Sequence, residues 1–145
     1  MTILGERSEA LSHAQTRASI ASHRASFDAS IERELRRGAG LGMSLPSPMW
    51  DVLNVLVERE LRLATTTTEQ TLLTAVPIFG LFRSARCERR LTWLLRRGFV
   101  RRERSTLRPT VAGIAAVRPI SSLPGSQRPS MELLRELRRG EIGTV

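Results

Sequence analysis

Lysine and tyrosine are absent from the 145 residues, aromatic side chains make up 4% of them, and cysteine occurs once. A single cysteine, Cys87, excludes an internal disulfide. It falls on an apolar stripe, which reads as a small core residue rather than a redox switch. The two histidines, His13 and His23, have no acidic or cysteine cluster beside them, so no metal-ligand spacing exists. Histidine this scarce supplies no general base near a serine or cysteine. There is no phosphate-binding glycine loop, nucleophile elbow or His-Glu metal motif. The chain therefore reads as non-enzymatic, with no cofactor. No apolar run approaches the roughly 18 residues needed to span a membrane. The first residues, MTILGERSEA, lack the basic start and apolar core of a signal peptide. The expectation is a cytoplasmic protein with no membrane partner. Hydrophobic content of 41% supports one core, and the shortage of aromatics makes it aliphatic.

What is abundant is arginine. All 23 basic residues are arginine, against 14 acidic ones, for a formal net charge of +9. The absence of lysine reads as GC-rich codon usage, but guanidinium groups suit phosphates and guanine edges whatever their origin. Arg83, Arg86, Arg89, Arg90, Arg96, Arg97, Arg101, Arg102, Arg104 and Arg108 face only Glu88 and Glu103 in the same stretch. Ten arginines against two glutamates put about +8 of the +9 between residues 83 and 108. Charge so concentrated marks a surface that meets an anionic partner, most often nucleic acid.

Two elements carry that charge. Cys87, Leu91, Leu94 and Leu95 recur at helical spacing and predict a helix over 84–97, stopped by Gly98. Phe99 to Pro109 predicts a short β-hairpin with a polar turn near Glu103–Thr106. Ahead of them, Thr74 is expected to cap a short helix beginning Ala75-Val76-Pro77, with Ile78 and Phe79 inward and Gly80-Leu81-Phe82 as the turn. Thr71-Leu72-Leu73 would be a short strand pairing with the hairpin, and Thr65–Thr68 an exposed loop. Short helix, tight turn, basic helix and basic hairpin make a helix-turn-helix followed by a wing.

From Pro48 to Val117 the chain resembles the winged helix-turn-helix of the multiple-antibiotic-resistance-regulator (MarR) family. The resemblance rests on Met49-Trp50-Asp51-Val52-Leu53 in a leading helix and on Arg89, Leu91 and Leu94 in the basic helix. It continues through Leu94-Leu95-Arg96-Arg97-Gly98-Phe99-Val100 and ends with Pro109-Thr110-Val111-Ala112-Gly113. The wing, Arg101-Arg102-Glu103-Arg104-Ser105-Thr106, departs from the family pattern: it is shorter and lacks the usual Asp-x-Arg. The resemblance implies a sequence-specific, double-stranded DNA-binding transcriptional regulator. The residues expected at DNA are Thr74, Arg83, Ser84, Arg86, Arg89, Arg90, Arg101, Arg102, Arg104 and Arg108. The alternative is a non-enzymatic interaction module that uses the same arginines on RNA or an acidic protein. No small-molecule effector, operator or direction of regulation is legible.

The fold class expected is mainly α with a small β-hairpin wing, extended by helices at both ends. Residues 1–40 would be an N-terminal helix and link, 41–118 the DNA-binding domain, and 119–145 a Pro-rich linker and C-terminal helix. The first helix is expected to stop at Arg36-Arg37-Gly38, leaving residues 38–45 flexible. Ser47 would cap a helix with Pro48 at its first position and a stripe of Trp50, Leu53, Val57 and Leu61. Thr110–Val117 would be a brief helix, and Ser130 would cap a last one over Met131–Arg139. The terminal helices offer Phe27, Ile31 and Leu35, and Met131, Leu134 and Leu137, each a stripe too thin to stand alone. Proteins of the resembling family dimerise through helices at both ends, so these six residues are the expected homodimer contacts. The Pro-rich link over 118–129 leaves open that the last helix folds back on its own domain.

Overall fold

The computed structural model describes residues 2–63 and 66–143. The protein is mainly helical with one small antiparallel sheet. Helix α1 spans Thr2–Gly42 and α2 spans Ser47–Glu58, which runs into a π-helical turn over Arg59–Leu63. Strand β1 is Thr67–Thr68, followed by α3, Glu69–Ala75, and α4, Arg83–Arg96. Strands β2, Val100–Glu103, and β3, Thr106–Pro109, form a hairpin that leads into α5, Val111–Val117. Two short 3-10 turns, Ile120–Ser122 and Gly125–Gln127, precede α6, Met131–Gly143.

Helix α5 is the centre of the molecule, and all seven of its residues are buried. A helix this short is too weak to form alone, and its first amides are satisfied from outside. Thr110 Oγ1 accepts from the Gly113 amide at 3.0 Å and donates to the Gly98 carbonyl at 2.6 Å. The Val111 amide donates to Glu141 of α6 at 2.8 Å. Against one flank of α5 lies α1, at a distance only small residues permit. A Cβ built on Gly38 would come within 2.7 Å of the Ala112 Cα, and one on Gly42 within 2.7 Å of the Ala116 Cα. Glycines four apart on α1 thus meet alanines four apart on α5, backbone on backbone.

That contact corrects the first helix. Arg36-Arg37-Gly38 looks like a helix stop, and 38–45 looks like a flexible link, yet α1 continues unbroken through Gly42. The glycines lower helix propensity, and the contact with α5 overrides the loss. Gly140 repeats the lesson. It lies inside α6, where a Cβ would strike the Arg101 guanidinium, so α6 runs on to Gly143 instead of ending at Arg139. Only Gly98 is a true stop, with φ of +76 and the Phe99 amide returning to the Leu94 carbonyl at 3.0 Å.

The last helix folds back. Arg135 forks onto Asp28 of α1 with both bonds at 2.9 Å, and this hydrogen-bonded pair holds the Asp28 carboxyl below its ordinary pKa. Ile31, Leu134 and Leu137 are buried in one cluster with Leu53, Leu94 and Ile114, and Phe27 and Leu35 pack on its edge. Side chains from residues 1–40, 41–118 and 119–145 therefore share a core. Of the six expected dimer contacts only Met131 is exposed. The α1 residues 12–26 are all exposed.

Several local expectations shift. The strand that pairs with the hairpin is Thr67–Thr68, not Thr71–Leu73. The sheet order is β1-β3-β2, with Thr67 opposite Leu107 and Val100 opposite Pro109. Thr67 is buried, so the threonine run is not all exposed loop; Thr65 lies outside the described residues. Thr68 rather than Thr74 caps α3, accepting from the Thr71 amide at 3.2 Å. Thr74 sits in the last turn of α3 and donates to the Thr71 carbonyl at 2.8 Å. In α2, Ser47 is already helical and Pro46 stands at the cap position. Trp50 turns outward, and Val52 joins Leu53, Leu56 and Val57 inside.

The close approach sets a test. Gly38→Ala inserts a methyl against the Ala112 backbone and is expected to lower stability by about 1–3 kcal/mol. Gly40→Ala, with nothing within 4 Å of its Cβ, is expected to raise stability by up to about 1 kcal/mol through helix propensity. Urea unfolding of the two variants measures both. Equal effects would mean that α1 and α5 are not in contact.

Candidate nucleic-acid interface

Helix α4 forms where predicted, and its stripe does what the spacing implies. Cys87, Leu91 and Leu94 are buried. Burial raises the Cys87 pKa, against the opposing pull of Arg90 and Arg83, which suits an inert core thiol. Once that stripe is inside, the opposite face must be outside: Ser84, Ala85, Glu88, Arg89, Thr92 and Arg96 are all exposed. Trp93 is half-buried at the margin. It stacks on Phe99 with ring centroids 6.2 Å apart, and the Arg97 guanidinium lies 4.8 Å above it. A groove of about 1080 Å³ runs beside this face, between Pro46, Pro48 and Met49 on one side and Arg86, Arg89, Arg90 and Trp93 on the other.

The ten expected contact residues divide by what already holds them. Two are corrections. Arg101 is only 9% exposed, lies beneath Gly140 and pairs with Glu103 at 3.1 Å. Arg108 is 19% exposed; it is bonded to Glu60 and, at 3.1 Å, to Glu136. Burial works against the Arg108 charge, but the bonds and charges of Glu60 and then Glu136 outweigh it and raise its pKa above the ordinary value. Both guanidinium groups are held in the ion-pair system of the hairpin rather than extended into solvent. Arg102 is exposed and pairs with Glu69 at the start of α3.

Arg83 and Arg86 are half-committed. Arg83 donates to the Leu73 carbonyl, and Arg86 donates to the Phe79 carbonyl at 2.6 Å, so both brace the turn between α3 and α4. Thr74 and Ser84 are exposed near that turn. Among the described residues, Arg89, Arg90, Arg96 and Arg104 make no hydrogen bond or ion pair. Arg104 sits at the tip of the hairpin with φ of +58 and points its charge into solvent.

The charge of the 83–108 stretch is therefore not spread evenly in space. On the hairpin, Arg101, Arg102 and Arg108 pair with Glu103, Glu69, Glu60 and Glu136, and Arg104 stays unpaired among the described residues, a formal balance of zero. On α4 and its last turn, Arg83, Arg86, Arg89, Arg90, Arg96 and Arg97 meet only Glu88. Sequence reasoning missed Thr92 and Arg96 as part of this face, because Arg96 was assigned to the helix end. The signal was there: Arg96 lies seven residues after Arg89, two helical turns along one side. The glutamates that neutralise the hairpin had no such signal, since three of the four lie outside the basic stretch.

Among the described residues no helix is long and apolar enough to cross a membrane. Comparison with known protein families, with curated proteins and with solved structures finds no match.

The division of the arginines is measurable without any ligand. Arg108→Ala leaves the half-buried Glu60 without its main partner and is expected to cost about 1–3 kcal/mol. Arg89→Ala removes a solvated side chain and is expected to stay within about 0.5 kcal/mol of the parent. Thermal or denaturant unfolding separates the two, and a destabilised Arg89 variant would contradict its placement.

Proposed function

We propose that the chain is a sequence-specific double-stranded DNA-binding transcriptional regulator. Helices α3 and α4 act as a helix-turn-helix, with α4 in the major groove, and the β2–β3 hairpin acts as the wing. The carrying observation is the arginine face of α4: among the described residues Arg89, Arg90 and Arg96 have no anionic partner, while Arg101, Arg102 and Arg108 on the hairpin do. Arginine can donate two hydrogen bonds to guanine O6 and N7, worth about 1–3 kcal/mol of discrimination. Arg89, two turns into α4 and exposed, is the residue assigned to that role. Arg104 is assigned to phosphate or the minor groove. Arg101 and Arg108 hold the wing in shape.

Enrichment of bound fragments from genomic DNA tests the reading. It expects recovered duplexes to share a sequence, with salt-dependent affinity. Arg89→Ala should weaken that site more than random duplex, and Arg104→Gln should lower the salt slope by about one phosphate unit. Equal losses on specific and random DNA would reduce Arg89 to a backbone contact. Binding to RNA or an acidic protein, with no preference for duplex DNA, would favour the interaction-module alternative.

The assembly proposed is a homodimer. Ile31, Leu134 and Leu137 are buried within one chain, so the second copy would cover what α1 leaves exposed, residues 12–26 with Ile20 at their centre. A single polar helix in water is marginal, and the exposed stretch offers about 22 Å of helix to a partner. Light scattering of the full chain should report twice the chain mass, and Ile20→Glu should shift it toward the monomer. A monomeric parent protein would end the proposal.

A further inference from the structure

The turn between α3 and α4 exposes three large apolar side chains in a row of four residues. Phe79 is 78% exposed, Leu81 85% and Phe82 77%, while Ile78 beside them is buried and anchors the turn. Contiguous apolar side chains left in water mark a surface that meets a partner. Phe82 also holds φ of +61, the left-handed region that glycine or asparagine would enter at lower cost. Keeping a phenyl ring there argues that the ring, rather than the backbone, is what the position supplies.

The position of the patch narrows the partner. Phe82 is the residue from which α4 starts, and Arg86 Nη2 binds the Phe79 carbonyl at 2.6 Å. The apolar edge is therefore continuous with the exposed face of Ser84, Arg89 and Thr92. Whatever anion docks on that face meets the edge as well. A second copy docked through the same patch would bring Arg83, Arg86, Arg89 and Arg90 of both chains together, which like-charge repulsion opposes. The partner must pair apolar groups with dense negative charge. A duplex major groove does so, because thymine alone among the four standard bases projects a C5-methyl group into it.

Resting on the reading of α4 as a major-groove helix, we propose that Phe79, Leu81 and Phe82 read thymine by packing on its methyl groups. The edge extends the footprint beyond the N-terminal end of α4, so that arginine-read guanines are flanked by thymines read without hydrogen bonds.

Uracil differs from thymine by that methyl alone and supplies the test. In fragments enriched by the full chain, each thymine is replaced in turn by deoxyuridine, and affinities are compared. The wild type should lose about fourfold for each contacted methyl, the equivalent of one buried methyl group. A triple variant, Phe79→Ser, Leu81→Ser and Phe82→Asn, alters only exposed side chains. It should keep its unfolding midpoint, bind the thymine duplex more weakly and no longer distinguish the two bases. A wild type indifferent to every replacement, or a triple variant as sensitive as the wild type, overturns the proposal and leaves the DNA reading standing. Failure to retain any duplex overturns both. Phosphatidylserine vesicles provide a parallel arm: cosedimentation lost in the triple variant, with uracil sensitivity unchanged, assigns the edge to a lipid surface and overturns the thymine reading.

Discussion

The backbone contact between α1 and α5 is the constraint on which the rest depends. Gly38 and Gly42 let α1 approach Ala112 and Ala116 closely enough that α5 has no solvent on that side. With α5 so enclosed, its N-terminal amides must be satisfied by neighbours. Thr110 and Glu141 do this from the end of the hairpin and from α6. Gly113 then has to pass close to the Phe99 carbonyl, which fixes where the hairpin leaves the core. A larger residue at any of these small positions would move the hairpin relative to α4, and hence the exposed arginines relative to each other.

Electrostatics divides the basic stretch into two parts with different tasks. Arg102 and Arg108 are met by carboxylates from three other elements, and Arg108 joins Glu60 to Glu136 across β3. Such pairs contribute shape more than net stability, because desolvation offsets much of their attraction. Among the described residues the α4 arginines have no such partners, and their mutual repulsion remains in the folded state. An external anion docked on that face would relieve it.

Much of this was legible in the sequence because helical periodicity is a local signal. Cys87, Leu91 and Leu94 placed α4 correctly, Phe99–Pro109 placed the hairpin, and Thr110–Val117 placed α5. The failures share one cause: they depend on residues far away in the chain. Leu-Arg-Arg-Gly occurs at 35–38, 95–98 and 137–140 and looks like a helix stop each time. Only the second adopts positive φ. The other two glycines exist for a neighbouring backbone and a neighbouring guanidinium, which spacing along the chain does not reveal. Arg101 and Arg108 were read as DNA contacts because a charge count sees neither the burial of Arg101 nor Glu60 and Glu136 closing on Arg108. Phe79 was expected inside because apolar residues usually are, and its exposure became visible only with the turn in place.

The clasp of Arg135 on Asp28 and of Arg138 on Ser30 joins residues 107 and 108 positions apart. The buried stripe of α1 lies against α5 and α6, which come much later in the sequence. The core therefore closes through contacts between residues far apart in the chain. Long-range closure of this kind slows folding and leaves apolar surface open in the interval. The exposed, serine-rich stretch of α1 over residues 12–26 adds little apolar surface to that interval.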